Sequence, residues 1–243
     1  MTLLEDAGTG MPVPSAGPRH RDAGGWAAGY ARALWASAQT QPAAPAARAG
    51  EPATNVTLYS TTGTRIVLDI ARFTAQPGPA EMELLDRCVG PTVDIGCGPG
   101  RLAAELAARG IPALGIDVSP VAVLLARAAG ATALRRSIFD RLPGEGRWPH
   151  ALLIDGNIGI GGDPAALLRR VRKLLRPADA QLLVETESAD IDEFHRVRID
   201  ACGPEFGWAR IGAPALAAQA EPLGYHTKSV WHRNGRCFTV LGV

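Results

Sequence analysis

The sequence predicts an α/β protein with a doubly wound, seven-stranded, mostly parallel sheet, helices on both faces and a C-terminal antiparallel hairpin. Short apolar strands alternate with helices between residues 92 and 186, and this alternation is typical of a parallel sheet. The strand at 151–154 is apolar at every position, as expected for a strand buried on both faces. Asn234 and Gly235 separate two alternating runs, which indicates a tight antiparallel hairpin.

Local patterns predict the individual elements. A hairpin is expected where two alternating runs flank a turn rich in small polar residues, and Ser119 and Asp163 each precede a proline at a position suited to cap a helix. The predicted hairpin strands are 56–59 and 64–70; the other strands are 92–95, 113–118, 133–138, 150–155, 181–186, 227–231 and 236–241; the helices are 81–88, 101–109, 120–129, 164–175 and 214–222.

The N-terminal quarter of the chain differs from the rest. Residues 1–54 are rich in Ala, Gly and Pro and are predicted to be a flexible segment ahead of a domain that spans residues 55–243. Within this segment Trp26, Tyr30 and Leu34 are spaced four residues apart and would share one face of a short helix. Such a helix either packs on the main domain or forms a lid over a site.

Composition and charge exclude several classes of function. The chain has 243 residues, of which 47% are hydrophobic, so it can bury a substantial core. A net charge of +1 and an aromatic content of 5% argue against a nucleic-acid partner. The apolar runs are too short to span a bilayer, and the N-terminus lacks the pattern of a secretory signal. The cysteines form no CxxC pair, so no metal site is predicted. We expect a cytoplasmic protein without a membrane partner.

A glycine-rich loop follows the strand at 92–95. Gly96, Gly98 and Gly100 allow the backbone to turn tightly and to approach a ligand closely. The dinucleotide fingerprint GxGxxG requires a small residue at the position of Arg101, and the phosphate-loop pattern GxxxxGK[ST] is absent. The loop therefore indicates a nucleotide-like ligand, while its spacing disfavours the two commonest phosphate-binding loops.

Two carboxylates flank this loop. Asp117 lies at the end of the next strand, where a carboxylate can accept hydrogen bonds from both hydroxyls of a ribose. Asp94 lies at the end of the loop's own strand. Two negative charges would repel a pyrophosphate but suit a sulfonium cation and an amino group. This argument favours S-adenosylmethionine over NAD.

At this point a family resemblance is clear. The run TVDIGCGPGR at 92–101 resembles the first motif of class I S-adenosylmethionine-dependent methyltransferases, and GIDVS at 115–119 resembles their second. The resemblance covers residues 91–186 and the terminal helix and hairpin. It implies S-adenosylmethionine as cofactor and methyl transfer to an unidentified small-molecule acceptor. Two alternatives are an NAD(P)-binding oxidoreductase and a cofactor-binding protein without transfer activity.

The resemblance also implies roles for particular residues. Asp94 is expected to reach the amino group of the methionine part, directly or through water, and Asp117 to bind the ribose. Ser137 stands where the family usually has an aspartate that contacts the adenine amine, so Ser137, Asp140 or the backbone makes this contact. The other implied cofactor residues are Gly96, Cys97, Gly98 and Gly100 in the loop, Val118, Ile138 and Phe139 near the adenine, and Asp155 and Asn157 near the methyl group.

The acceptor side is less defined. The run DGNI at 155–158 differs from the Asp/Asn-Pro-Pro-aromatic motif of adenine and glutamine-amide methyltransferases, which disfavours those acceptors. Asn157 is expected to hold the acceptor or the cofactor's carboxylate, and the glycines at 156–162 either shape a turn or admit substrate. His195 is the candidate general base for an alcohol or phenol; alternatively, it is a surface residue of a charged helix at 192–198. Further candidates for the acceptor pocket are Tyr59, Trp208 and Arg210.

Overall fold

The computed structural model describes residues 23–39, 55–199 and 203–243. Among these ranges, none of the helices combines the length and apolar character that crossing a bilayer requires. The strands are β1 Asn55–Ser60, β2 Arg65–Asp69, β3 Thr92–Ile95, β4 Ala113–Asp117, β5 Ala133–Arg135, β6 His150–Leu153, β7 Gln181–Thr186, β8 Asp192–Ile199, β9 Phe206–Ile211, β10 His226–Arg233 and β11 Arg236–Gly242. The α-helices are α1 Ala23–Gln39, α2 Ile70–Thr74, α3 Pro79–Leu85, α4 Arg101–Ala108, α5 Pro120–Ala128, α6 Pro164–Arg172 and α7 Ala213–Ala220.

The larger sheet has seven strands in the order β10-β11-β7-β6-β3-β4-β5. Neighbouring strands from β7 to β5 are parallel, whereas β11 runs antiparallel to β7 and β10 runs antiparallel to β11. Leu153 and Val184 pack in one apolar cluster, while Leu152 and Leu183 pack in another, because successive residues of a strand face opposite sides. Both faces of the sheet are therefore buried, and the predicted fold is confirmed.

The predicted helix caps and terminal hairpin are also present. The side chain of Ser119 accepts a hydrogen bond from the Ala122 N–H at 3.3 Å, and that of Asp163 accepts one from the Ala166 N–H at 2.8 Å. Asn234 and Gly235 have φ angles of 51° and 76°, the left-handed conformation that a two-residue hairpin turn requires. These local predictions are confirmed because each depends only on neighbouring residues.

A second sheet was only half predicted. It has four antiparallel strands in the order β2-β1-β8-β9, and the hairpin expected near residues 56–70 supplies β1 and β2. The charged helix considered at 192–198 is wrong, since these residues lie in β8. Val197 and Ile199 are buried while Arg196 and Arg198 between and beside them are exposed, which is the period of a strand. Glu and Arg favour helices in isolation, and pairing with β9 along residues 192–197 and with β1 along residues 197–199 overrides that preference here.

The helix expected around Trp26, Tyr30 and Leu34 is present as α1. Leu34 is fully buried and packs with Val56, Ile70 and Tyr30 in a cluster that joins α1 to β1 and α2. The side chain of Trp26 lies outside the described residues, and so do residues 1–22 and 40–54, for which flexibility was predicted.

Candidate active site

A cavity of about 330 Å³ lies between the carboxyl ends of the parallel strands and the second sheet. Ligands of open α/β sheets bind at this end of the strands, because the loops there converge around a crevice. One wall, formed by the seven-stranded sheet and its loops, includes the predicted residues Gly96, Asp117, Val118, Ser137, Ile138, Asp155 and Asn157. The opposite wall, formed by α1, α2 and the second sheet, includes Tyr30, Leu58, Phe73, Ile199, Phe206 and Trp208.

Asn157 holds the start of the glycine loop. Its amide nitrogen donates hydrogen bonds to the carbonyl oxygens of Ile95, at 3.0 Å, and Gly96, at 2.9 Å. Gly96 has a φ of 73°, and a Cβ atom there would lie 2.7 Å from the same amide nitrogen. No side chain is tolerated at this position without a shift, so Gly96 presents bare backbone to the cavity.

Asp117 joins the loop to the next strand. Its carboxylate accepts hydrogen bonds from the backbone N–H groups of Gly98, at 3.0 Å, and Ser119, at 2.7 Å. Burial raises the pKa of Asp117, and these hydrogen bonds oppose that shift. An ionised carboxylate offers about four acceptor sites, so about two remain for a ligand. Gly100 serves packing instead, since a Cβ there would lie 2.5 Å from the Cβ of Ala126.

Asp94 and Cys97 lie outside the cavity wall. Asp94 is 2% exposed, and burial raises its pKa to about 7. Its Oδ2 atom has no hydrogen-bond partner among the described residues. The Cys97 thiol is also buried and donates to the Gly98 carbonyl at 3.6 Å. The ligand contacts expected of these two side chains and of Gly98 stay predictions.

The predicted adenine end is built around Ser137. The Ser137 N–H donates to the Asp140 carboxylate at 3.2 Å, and the Phe139 N–H donates to the Ser137 hydroxyl oxygen at 3.2 Å. Asp140 is thus turned towards the backbone, whereas Ser137 lines the cavity. Of the three ways considered for contacting an adenine, this arrangement favours Ser137 or the backbone. Phe139 is 37% exposed and lies outside the wall.

Comparisons with known proteins agree with this geometry. Residues 92–178 match a family model described as a methyltransferase domain. That segment contains the glycine loop, Asp117, Ser137 and Asn157. Residues 92–178 are therefore similar to a methyltransferase domain. A comparison with curated proteins found none that matches the sequence.

Several solved structures share the fold of this chain. A SAM-dependent methyltransferase from Bacteroides fragilis, in complex with S-adenosyl-L-homocysteine, is 21% identical with a TM-score of 0.69, over 88% of this chain and 94% of that chain. A Burkholderia thailandensis 1,6-didemethyltoxoflavin-N1-methyltransferase is 18% identical with a TM-score of 0.52, over 68% and 76% of the two chains. A SAM-dependent methyltransferase from Methanosarcina mazei is 16% identical with a TM-score of 0.54, over 69% and 98%.

An ion-pair network surrounds Asp155. The Asp155 carboxylate contacts Arg101 at 2.7 Å, Arg72 at 3.0 Å and Arg236 at 3.3 Å. Arg101 and Arg236 also pair with Glu81, and Arg236 pairs with Glu185 at 2.7 Å. Three guanidinium groups thus balance three carboxylates. The sequence pattern used Arg101 only as an argument against a dinucleotide-binding loop. It did not predict this ion-pair network, because the partners of Arg101 are distant in the chain.

His195 is not brought to the cavity. It lies in β8 outside the wall, and its Nε2 atom is 3.0 Å from a carboxylate oxygen of Glu193. In this geometry the His195 ring contacts Glu193 and is not part of the cavity wall, so its expected role as general base stays a prediction. The prediction relied on its position after the fifth parallel strand, but the chain turns there into the second sheet.

Of the other residues expected in the acceptor pocket, one lines the cavity and two do not. Trp208 lines the cavity, as predicted. Tyr59 and Arg210 do not: the Tyr59 ring lies under the Arg65 guanidinium, 5.7 Å from it, and Arg210 pairs with Glu187 at 2.8 Å.

Tyr30 is a wall residue that the sequence placed only on a helix face. Its hydroxyl would be 3.3 Å from a Cβ atom on Gly98, so it lies directly over the glycine loop. Burial, followed by the negative charge of Asp117, raises the pKa of Tyr30 well above its usual value, so the hydroxyl stays protonated and can donate. The lid role considered for α1 stays a prediction.

The glycines at 156–162 bring the two sheets together. Ile160 forms a bridge with Trp208 of β9, and a Cβ on Gly159 would overlap the carbonyl oxygen of Ala209. A Cβ on Gly207 would lie 2.8 Å from the carbonyl oxygen of Gly161. Close backbone packing therefore explains much of this run, and turn geometry explains the rest, since Gly156, Gly161 and Gly162 have φ angles of 75° to 82°.

Proposed function

We propose that the protein transfers a methyl group from S-adenosylmethionine to a small-molecule acceptor held in the cavity. The observation that carries this proposal is the Asp117 carboxylate, which lies on the cavity wall beside the glycine loop and within the segment that matches a methyltransferase domain. Its remaining acceptor sites suit the two hydroxyls of a ribose.

The wall beside β3 fits this cofactor. Gly96 exposes backbone to the cavity, so a ligand can approach the main chain closely. Val118 and Ile138 provide apolar surface next to Asp117, where an adenine ring can pack. When bound, S-adenosylmethionine supplies an electrophilic methyl group on a sulfonium, whose departure leaves a neutral thioether. The proteins from Bacteroides fragilis and Burkholderia thailandensis were solved with S-adenosylhomocysteine, which supports the same cofactor here.

The chain contributes alignment to the reaction. Asp155 on the wall is held by three arginines and Glu205 by two, so both carboxylates are engaged in ion pairs. Holding an acceptor in line with a reactive methyl group can by itself remove a large part of a barrier. An acceptor that already carries a free lone pair suits this wall better than one that needs a base.

The acceptor class follows from the second wall. It is mostly apolar and encloses a space suited to a small molecule. The Burkholderia thailandensis protein was solved with bound 1,6-didemethyltoxoflavin, and this supports a small-molecule acceptor here. A cytoplasmic location and the absence of a nucleic-acid partner, both expected from the sequence, stay predictions.

Calorimetry tests the cofactor assignment. S-Adenosylmethionine and S-adenosylhomocysteine are expected to bind, and NAD is not. Asp117→Asn is expected to weaken the binding of S-adenosylhomocysteine by about 1–3 kcal/mol, because charge-assisted hydrogen bonds to the ribose are lost. The matched control is Asp86→Asn, which removes an exposed carboxylate paired with Arg109 and should leave affinity unchanged. Binding of NAD alone, or no binding of either sulfur ligand, would overturn the proposal.

A separate measurement tests transfer. Turnover of a metabolite extract with methyl-labelled S-adenosylmethionine should label a small molecule. Binding without any labelled product would identify a cofactor-binding protein that lacks transfer activity.

A further inference from the structure

The second wall of the cavity carries a charge that the proposed cofactor does not use. We propose that the acceptor is a small apolar molecule with one anionic group, a carboxylate or similar oxyanion, and that Arg196 binds this group. The inference rests on the proposed function, because it concerns the acceptor of the same site.

The apolar side chains of the second wall can pack against a flat, ring-shaped part of an acceptor. Leu58, Phe73 and Ile199 are buried side chains that line the cavity. The rings of Phe206 and Trp208 meet edge to face, with centroids 6.4 Å apart and planes at 89°. Aromatic faces and edges of this kind pack favourably on a ring, so the wall favours an acceptor with an apolar, ring-sized body.

The charge lies at the edge of the cavity, on the face of β8 opposite to Val197 and Ile199. Arg196 lines the cavity, and its side chain is 57% exposed. Its Nε atom is 3.1 Å from one carboxylate oxygen of Glu205, while Arg198 lies 3.2 Å from the other. Two guanidinium groups share one carboxylate, which leaves one positive charge in excess.

Arg196 also keeps free donors. Only its Nε–H is used in a hydrogen bond with a side chain of the described residues. A guanidinium has five N–H donors, and its remaining edge matches the geometry of an oxyanion. In the register of β8 and β9, Arg196 lies opposite Gly207, whose backbone packs against Gly161 on the cavity wall. The arginine therefore belongs to the strand pair that closes the cavity.

The carboxylates of the site already have assignments. Asp155 belongs to a network in which three guanidiniums balance three carboxylates. Asp117 faces the proposed ribose, and Arg136 lies with Ser137 at the proposed adenine end. Of the two arginines in the described cavity lining, Arg136 and Arg196, only Arg196 belongs to the second sheet, so its charge is the one available to the acceptor.

Paired probes test the inference. The binding of 2-naphthoate and of 2-naphthamide, which have similar shape but differ in charge, is measured by calorimetry with the protein saturated in S-adenosylhomocysteine. The naphthoate is expected to bind about tenfold more tightly than the naphthamide. Added salt should weaken the binding of the naphthoate only. Equal affinities, or no binding of either probe, would overturn the inference.

Variants locate the charge. Arg196→Gln should abolish the preference for 2-naphthoate over 2-naphthamide. Glu205→Gln should raise the affinity for 2-naphthoate several-fold, because it removes the carboxylate that competes for Arg196. Arg233→Gln, an exposed arginine of β10 that is 3.9 Å from Glu83, is the matched control and should change neither probe. Thermal melting verifies that each variant is folded. A preference that survives Arg196→Gln would contradict the assignment.

Failure of the proposed function is distinguishable from failure of this inference. If S-adenosylhomocysteine does not bind, the proposed function fails, and the same probes titrated without it still report the charge preference of the cavity. If S-adenosylhomocysteine binds and the two probes bind equally, only the acceptor assignment fails.

Discussion

The two walls of the cavity are built in different ways. The wall at the end of the seven-stranded sheet relies on backbone: bare glycine, carbonyls held by Asn157 and N–H groups held by Asp117. The wall of the second sheet relies on side chains such as Phe206, Trp208 and Arg196. Only the first wall lies within the segment that matches a methyltransferase domain, residues 92–178. We therefore expect main-chain geometry to set the binding of the proposed cofactor, and side chains to set the choice of the proposed acceptor.

The largest expected effect is on the backbone wall. Gly96→Ala adds a Cβ that would lie 2.7 Å from Asn157, at a φ of 73°, so the loop must move. We expect S-adenosylhomocysteine to bind at least about 100-fold more weakly, roughly 3 kcal/mol, as for strain combined with a clash at a fixed turn. Calorimetry measures the effect.

The control for this variant lies in the second sheet. Gly63→Ala, in the turn between β1 and β2, has a similar φ of 91° but no atom within 4 Å of the added Cβ. It should cost about 1 kcal/mol of unfolding free energy and leave ligand affinity unchanged. Equal loss of binding in the two variants would show that strain alone, without the contact to Asn157, explains the result.

An intermediate effect concerns the buried carboxyl beneath the loop. Burial raises the pKa of Asp94 from 3.8 to about 7 in the folded protein. Between these values the unfolded chain has lost the proton and the folded chain keeps it, so this group makes stability fall as pH rises, with no further change above about pH 7. Asp94→Asn lacks this dependence. The stability of the variant relative to wild type should therefore rise by about 2 kcal/mol between pH 5.5 and pH 8.5.

Urea unfolding at the two pH values, without ligand, measures this difference. Asp86→Asn, at an exposed carboxyl, should show no such change with pH. If the difference between Asp94→Asn and wild type stays constant, the pKa of Asp94 is not raised, and a negative charge lies behind the backbone wall at pH 5.5.

The smallest expected effect on the cofactor comes from the side-chain wall. Phe206→Leu should leave the affinity for S-adenosylhomocysteine within about twofold, because Phe206 belongs to the second sheet. The same change should lower the affinity for 2-naphthamide several-fold, since an aromatic contact is lost. A tenfold loss of S-adenosylhomocysteine affinity would show that the second wall also contributes to binding of the cofactor.

The cofactor side was largely predictable from the sequence. Ser119 and Asp163 cap helices as expected, Asn234 and Gly235 form the turn of the hairpin, and Gly96 and Asp117 lie on the cavity wall. These features depend on a few neighbouring residues or on strands that follow each other directly. The positions of Asp94 and Cys97 behind the wall were not predicted, because the direction of a side chain at a strand end depends on what packs around it.

The acceptor side was mostly not predictable. Leu58 of β1 pairs with Ile199 of β8, and no local pattern reports a pairing over so long a separation. Pairing with β1 and β9 also makes residues 192–199 a strand, although their charged residues resemble a helix. Arg101 found its partners Glu81 and Asp155 in the same way, through the packing of distant elements.

The sequence by itself determined the parallel sheet and the glycine loop with Asp117 beside it, and it led to the proposed class of cofactor, because these rest on short-range periodicity and on backbone freedom at particular residues. Only the tertiary structure decided which side chains form the second wall, that Tyr30 covers the loop and that Arg196 lies beside the acceptor space. The physical reason is that these positions are set by pairing and burial between segments far apart in the chain, which the local sequence does not encode.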